Sequence, residues 1–215
     1  MRNSGPGFNA AFLALGLALA AGAQAAHATC PTAGLPPQVT CGTKDLSAAT
    51  AGTYAIDGNH AAVIARVSHL DYSRSVFRFD RVKGTLAWNP AAPARSRLSV
   101  TVETASIDTN VAGFATELAG DGFLKSKAFP EATFVSTAFR RTSPTHGEVD
   151  GALTLLGKTR PATFKVDLVG AGKGFGHPRM GVHAETRILP KDFGLPAMLV
   201  DPIELVIDVE FEKTS

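Results

Sequence analysis

The sequence predicts an all-β protein, an antiparallel barrel or sandwich, and three observations support this class. Eight or nine segments alternate apolar and polar side chains with a period of two, which places successive residues on opposite faces of a strand. These segments follow one another at hairpin spacing, with one short helical segment and no strand–helix alternation. The last segment alternates along its whole length, and such an edge would promote aggregation if the sheet stayed open. A closed sheet of eight strands has an interior that side chains can fill or that can hold one small ligand.

The N-terminal residues have the pattern of a secretory signal peptide, which we exclude from the fold. Arg2 supplies a positive start, and residues 10–21 form an apolar run that is too short to span a bilayer. Alanines at 23 and 25 and at 26 and 28 offer small residues at the cleavage positions, so the predicted signal peptide covers residues 1–25 or extends to residue 28. A retained N-terminal anchor is the alternative. A signal peptide places the mature protein in the periplasm or outside the cell.

Residues 29–52 are predicted to form an extended arm. They are rich in Pro, Gly, Ala, Ser and Thr and show no periodicity. Cys30 and Cys41 are the only cysteines, and an even number of cysteines in an exported protein favours a disulfide. Closing this short loop would contribute about 2–3 kcal/mol in the chain-entropy estimate. The spacing matches neither a redox C-x-x-C motif nor a haem-attachment motif, so we expect a structural bond.

Residues 53–215 are predicted to form the barrel domain. The apolar parity slips by one between Phe79 and Val82, which indicates a bulge or bend. The only helical segment is residues 110–118, where a polar residue among 106–109 can cap the first turn. The predicted strands are, in chain order, residues 53–57, 61–69, 75–88, 97–103, 133–141, the two arms of a hairpin at 149–169, 180–188 and 203–211.

The hairpin at residues 149–169 has the clearest pattern. Apolar side chains alternate with polar ones in both arms, and Pro161 is tolerated where a strand begins. The polar residues 157–160 between the arms predict the turn. In the final strand the acids Glu204, Asp208, Glu210 and Glu212 share one parity, and we expect that face to be solvated.

Several kinds of functional site are not indicated by the sequence. The net charge of +2 and the absence of a basic block argue against a nucleic-acid partner. The glycine-rich residues 170–176 precede a strand and not a helix, so they predict a hairpin turn and not a phosphate loop. There is no G-x-S-x-G nucleophile motif. The five histidines of the predicted barrel domain lack metal-ligand spacing, so we expect neither a metal nor another cofactor; they are His60, His69, His146, His177 and His183.

The remaining signal is the apolar content of the strands. Thirteen Phe greatly outnumber the single Trp and two Tyr, and Phe has no polar group to satisfy, so most should lie inside. They could pack against one another in a solid core or line a wall around an apolar guest. Periodicity alone leaves both open.

Motifs spread over about residues 53–211 resemble the YceI-like family. Singly each motif is weak, but their order along the chain is specific. They are Tyr54-Ala55-Ile56-Asp57 with His60, Val67-Ser68-His69, Phe79 with Gly84, Ser106-Ile107-Asp108-Thr109, Phe123-Leu124, Phe129-Pro130, Thr133-Phe134, the hairpin segment from Gly151 to Pro161, and Asp192-Phe193-Gly194. The chain departs from the family pattern at Ala61, at Pro190-Lys191 and in the cysteine arm.

The resemblance implies an exported, lipocalin-like, eight-stranded antiparallel barrel with a long hydrophobic cavity. The cavity would hold an isoprenoid lipid or similar amphiphile, such as a polyprenyl chain, a quinone or a fatty-acid derivative. The family is known for binding and not for an established reaction, so we expect a non-enzyme; transient membrane contact is a further expectation. The residues expected to line the ligand site are Phe77, Phe79, Phe134, Leu153, Leu155, Phe164, Val166 and Leu168, with residues 123–129 at the mouth.

Two alternatives remain open at the level of sequence. An enzyme acting on a lipid-like substrate would need His60, His69 or Asp192 to converge at the rim of the barrel. A solid barrel could instead serve as an interaction module, with the cysteine arm available to a partner.

Overall fold

A computed structural model describes Cys30, Gly34 and residues 36–215 of the chain. The predicted signal peptide lies outside the described residues, so its boundary stays a prediction. The chain divides into two units, Met1–Pro31 and Thr32–Ser215, and every element below belongs to the second. Cys30 and Cys41 are disulfide-bonded. In the described part of the chain, no helix is long and apolar enough to cross a membrane.

The described residues form antiparallel strands and two short helices. The helices are α1 (Phe114–Ala119) and α2 (Pro190–Phe193). The strands are β1 (Gly52–His69), β2 (Ser73–Phe79), β3 (Val82–Trp88), β4 (Arg97–Glu103), β5 (Ile107–Asp108), β6 (Glu131–Arg141), β7 (His146–Leu155), β8 (Lys158–Gly172), β9 (Arg179–Ile188) and β10 (Ile203–Lys213).

The sheet closes into a barrel because β1 and β10, the first and last strands, pair with each other. β1 aligns Val63 with Ile207 of β10 along one edge and Tyr54 with Leu86 of β3 along the other. The ring then continues through β4, β6, β7, β8 and β9 back to β10, which gives eight strands. β2 pairs with the C-terminal part of β1, on the same edge on which β3 pairs with its N-terminal part. The short β5 pairs in turn with β2. The predicted eight-stranded antiparallel barrel is therefore confirmed.

β1 is one strand where the sequence predicts two. Its pairing with β10 shifts register between Ile56 and Ala61, and the inward parity changes from even to odd numbers across this irregularity. The neighbouring line breaks at the same level, between Phe79 of β2 and Val82 of β3. The irregularity predicted between Phe79 and Val82 is thus confirmed, but the single strand predicted at 75–88 is wrong, because the chain divides there into β2 and β3. The separate strands predicted at 53–57 and 61–69 are wrong, because a bulge changes parity without ending a strand.

The β7–β8 turn is tighter than predicted. Leu156 and Gly157 alone form it, with φ of 52° and 71°, the left-handed backbone of a two-residue hairpin. The turn predicted at 157–160 is wrong, since Lys158 already pairs with Leu155. Pro161 lies inside β8. A proline is possible there because β8 pairs with β9 only from Lys165 onwards, so no backbone hydrogen bond to β9 is needed at Pro161.

The helix predicted at 110–118 begins four residues late, at Phe114. Residues 106–109 cannot cap it, because Ile107 pairs with Phe79 of β2 as part of β5. Gly113, with φ of 79°, takes the cap position instead. α2 forms in a stretch that carried no helical periodicity.

The N-terminal arm contributes to the sheet, which the sequence did not indicate. Thr43 forms a two-way backbone bridge with Ala171, with N···O distances of 2.9 and 2.8 Å. Gly42 crosses Gly170 so closely that a Cβ on Gly170 would lie 3.2 Å from the Gly42 Cα. Gly170 and Gly172 therefore lie in β8 and permit close backbone approach, and the turn predicted at 170–176 begins only after Gly172. The same arm places Ala49 in the core beside Tyr54. The Ala49 carbonyl oxygen accepts a hydrogen bond from the Trp88 indole N–H.

Gly151→Ala is expected to destabilise the barrel by about 1–3 kcal/mol, because a Cβ there would press on the Phe134 ring and lie 2.5 Å from the Val135 carbonyl oxygen. Urea denaturation measures the change in the free energy of unfolding. Gly122→Ala is the control, since a Cβ at Gly122 meets nothing within 4 Å. Equal stability of the two variants would contradict this account of the packing.

Candidate ligand cavity

The inward side chains of the barrel surround a cavity of about 1030 Å³. Its wall is predominantly aliphatic and aromatic, because the inward positions of the ring strands are the apolar positions of the period-two pattern. Phe134 and Phe164 meet edge to face in it, with ring centroids 4.9 Å apart. The interior is not filled by the barrel's own side chains, so a solid barrel, the premise of the interaction-module alternative, is wrong.

All eight residues predicted from sequence to line the ligand site lie on the wall of this cavity. The aromatic members come from β2, β6 and β8, and the aliphatic members come from the β7–β8 hairpin. Contact with a ligand stays a prediction for each of them. The sequence prediction omitted the wall contributed by β1, β3, β4, β9 and β10. The signal was available for β10, because its inward residues share one parity and line the cavity; they are Ile203, Leu205, Ile207, Val209 and Phe211.

The segment between β4 and β6 covers one end of the cavity. Phe114 of α1 packs against Phe77 with ring centroids 6.1 Å apart, and Leu118 and Leu124 are buried beneath it with Ile107. Residues 123 and 124 of the predicted mouth loop lie on the cavity wall. Leu195 and residues 198–201, which follow α2, complete this end. We call it the loop end.

The polar side chains of the wall lie near the two ends of the barrel. At the loop end they include His69, Asp71 and Asp201. At the opposite end they come from the β6–β7 turn and its flanks; they are Arg140, Arg141, Ser143, Thr145, His146 and Glu148. Between them the wall is apolar. This distribution suits a long apolar chain inside and polar atoms only at an opening.

The residues required by the enzyme alternative do not converge. Among the described residues, His69 lies on the cavity wall, whereas His60 and Asp192 do not. His60 instead donates from Nδ1 to Asp57, at 2.9 Å, on the outside of the barrel. Asp192 lies in α2. The described cavity wall therefore holds no cluster of the three groups proposed for acid–base chemistry.

Asp57, His60 and Glu210 are grouped closely enough to suggest a metal site, but an arginine occupies the centre of the group. Arg179 donates from Nη1 to Asp57 at 2.9 Å and to Glu210 at 3.0 Å. Its Nη2 donates to Glu212 at 2.9 Å. Hydrogen bonds from Arg179 and then His60 lower the pKa of Asp57 to about 2, and the hydrogen bond to Asp57 raises the pKa of His60.

The acidic face predicted for the last strand is therefore only partly solvated. Asp208 is 56% exposed, as expected, and hydrogen-bonds the His183 ring at 2.8 Å. The Glu204 side chain is only 14% exposed and receives three arginines, so the prediction of a solvated face is wrong there. Sequence spacing identified the parity but could not identify partners on β1, β2 and β9.

Asp57→Asn should lower the free energy of unfolding at pH 7 by about 1–2 kcal/mol, because the ion pair with Arg179 is lost while Glu210 and Glu212 remain. The folded-state pKa is below the unfolded one. The contribution of ionised Asp57 to the free energy of unfolding is therefore complete above pH 4 and is lost as the pH falls towards 2. Chemical denaturation at pH 7, 4 and 2.5 should show that the difference in free energy of unfolding between wild type and Asp57→Asn becomes smaller as the pH is lowered. The exposed loop variant Asp121→Asn should show no such trend; an Asp57→Asn difference that grew on acidification would contradict the assignment.

Comparison with known proteins agrees with the geometry. A family model described as a YceI-like domain matches residues 54–211. A UPF0312 protein of Pseudomonas putida strain W619 is 41% identical over 179 residues, covering 80% of this chain and 93% of that protein. The crystal structure of Burkholderia cenocepacia BcnA is similar with a TM-score of 0.65 and 22% identity, over 72% of this chain and 98% of BcnA.

A second solved structure is similar in fold. It is a polyisoprenoid-binding domain from Saccharophagus degradans implicated in plant cell wall breakdown. The TM-score is 0.57 at 12% identity, over 76% of this chain and 99% of that domain. At this identity the likeness shows a shared barrel fold.

Proposed function

Because the chain belongs to the YceI-like family, we propose that it is an exported protein that sequesters or carries a polyisoprenoid-type amphiphile in its barrel. The guest would be a polyprenyl chain, a quinone or a fatty-acid derivative. The observation that carries the proposal is the apolar cavity of about 1030 Å³ inside a closed sheet. A domain with the same fold is described as binding polyisoprenoids.

The physical support is the match between wall and guest. Drug-sized ligands occupy pockets of about 300–1,000 Å³, so this cavity accepts a guest at or above the upper end of that range. Each CH₂ group moved from water into such a wall contributes about 0.8 kcal/mol. A chain of several isoprene units therefore gains enough from burial without a charged anchor. The apolar middle of the wall favours a tail, and the polar ends favour a head group that stays near an opening.

Export is supported by the disulfide and by the leader-like pattern of the first residues. Bonded cysteines are typical of oxidising compartments. We propose the periplasm or the exterior as the site of action. The proposed role is binding without catalysis; of the three residues that the enzyme alternative requires, only His69 lies on the described cavity wall.

Native mass spectrometry of protein purified from its own host compartment tests the function directly. We expect a mass above that of the polypeptide, which dissociates on activation to release an amphiphile. Delipidated protein should regain a mass increment when incubated with a polyprenol or a long-chain quinone. A bare polypeptide mass, with no uptake of either probe, would overturn the proposal.

Filling the cavity should weaken binding. Ala65→Phe and Ala184→Phe project rings into the cavity from β1 and β9, the two strands that flank β10, and we expect each to reduce polyprenol uptake at least tenfold. Val135→Phe is the matched control, because Val135 follows the inward Phe134 and is exposed on the outer face. Thermal unfolding confirms that the variants are folded. Unchanged uptake by both cavity-filling variants would place the ligand elsewhere.

A further inference from the structure

Large apolar side chains project into solvent at the loop end of the barrel. Leu70, Tyr72, Met198 and Val200 are each more than three-quarters exposed. Leu70 and Tyr72 belong to the β1–β2 turn, and Met198 and Val200 belong to the segment between β9 and β10. Val111, in the segment between β5 and α1, is also exposed. Singly exposed apolar residues are ordinary, but a group at one end of a molecule marks an interaction surface.

The exposed group is continuous with the cavity. Leu70, Val111, Met198 and Val200 lie on the cavity wall as well as at the surface. Leu70 and Asp71 have φ of 52° and 58°, left-handed values that place the apolar Leu at the tip of a tight turn. An apolar path thus leads from the interior of the barrel to the outer tips of these loops.

The two ends of the cavity differ in chemistry. At the end opposite the loops, the wall is formed by polar and charged side chains around the β6–β7 turn, including Arg141, Thr145 and Glu148. At the loop end, the exposed tips Leu70, Tyr72, Met198 and Val200 project beside the polar wall residues His69, Asp71 and Asp201. This asymmetry gives the barrel one end suited to water and one suited to an apolar phase.

A charged cleft lies directly behind the exposed tips, on the outer face of β1, β2, β9 and β10. Arg74 donates to Glu204 at 2.7 Å, and Arg66 and Arg187 approach the same carboxylate at 3.4 and 3.5 Å. The cleft is also lined by two aspartates, so its charged residues are three arginines and three acids; they are Arg66, Arg74, Arg187, Asp71, Asp201 and Glu204. Ser68, Tyr72, Ser73 and Pro202 complete its wall.

This charge pattern complements a zwitterionic head group. A phosphate can bond the guanidinium groups in their planar, bidentate geometry, and an ammonium or choline group can lie beside the aspartates. The cleft is balanced in charge, which does not favour a strongly anionic surface. Apolar tips below and a balanced polar cleft above them correspond to the acyl and head-group layers of a bilayer.

Building on the carrier function proposed above, we propose that the loop end docks on a bilayer of zwitterionic phospholipid. Leu70, Tyr72, Met198 and Val200 insert among the acyl chains, and the Arg66–Arg74–Arg187 cleft contacts the head groups. In this orientation the cavity opens into the apolar layer, and a guest can pass between membrane and barrel without crossing water.

Vesicle flotation tests the docking surface. Delipidated protein is mixed with vesicles of phosphatidylethanolamine and phosphatidylcholine. The rim variant Leu70→Asp/Met198→Asp/Val200→Asp should bind at least tenfold more weakly than wild type, because three apolar insertions are replaced by charges. The control Val135→Asp/Val169→Asp/Phe175→Asp makes the same charge change at exposed apolar residues away from the loop end and should bind like wild type. Raising salt from 0.05 to 0.5 M should change binding by less than twofold.

A tryptophan at the tip gives a second readout that does not depend on loss of binding. Tyr72→Trp fluorescence should shift to the blue on adding vesicles and should be quenched by lipids brominated in their acyl chains. Phe175→Trp, near the opposite end, should show neither effect. Both variants retain Trp88, which provides the same background.

The outcomes separate docking from cargo binding. If wild-type protein does not float with vesicles but still takes up a short-chain polyprenol from solution, docking is wrong and the carrier function stands. If both fail, both proposals are overturned. Concentration-dependent dimers in sedimentation, abolished in the rim variant, would assign the surface to a second copy of the chain and overturn membrane docking. Equal loss of vesicle binding in the rim and control variants would also contradict it.

Discussion

Hydrogen bonding between β1 and β10 joins the two ends of the sheet, and the vacant interior exists only because this seam is closed. The alternation of apolar and polar residues sorts side chains to two faces, but on an open sheet the apolar face would need another layer to cover it. In a closed sheet the apolar face becomes the inner surface of the barrel, and the number of strands, eight, sets the barrel's diameter. Side chains of ordinary size then leave room that they do not fill.

The outside of this seam is held by two ion-pair groups, one near each end. Arg179 of β9 links Asp57 of β1 with Glu210 and Glu212 of β10. Glu204 of β10 links Arg66 of β1 with Arg187 of β9. Isolated surface pairs contribute little, whereas networks whose central group is well buried contribute more. Here the central groups are Arg179 and Glu204, whose side chains are 15% and 14% exposed. Both groups cross the strands whose separation would open the barrel.

The barrel's own side chains leave the cavity wall without protein contacts on its inner side, where dispersion attraction to a guest can act. Dense core clusters lie around Tyr54 and around the Phe134–Phe164 pair, and the arm adds Ala49 to the first of them. A guest would restore the missing contacts and would stabilise the folded state in proportion to its concentration and affinity. Binding and stability are therefore linked through the same wall.

Side-chain parity is a local property, so alternation within residues 97–103, 149–169 and 203–211 predicted strands and their inward faces. The eight side chains predicted for the wall lie within residues 75–88, 133–141 and 149–169. The sequence also located the parity slip at Phe79–Val82. It could not show that β1 runs through its own slip unbroken, that Arg179 fills the acidic group around Asp57, or that Leu70 and Met198 meet at one end. These features join residues more than a hundred positions apart, and only closure of the sheet brings them together. Local pattern decides which way a side chain points; tertiary structure decides what it meets.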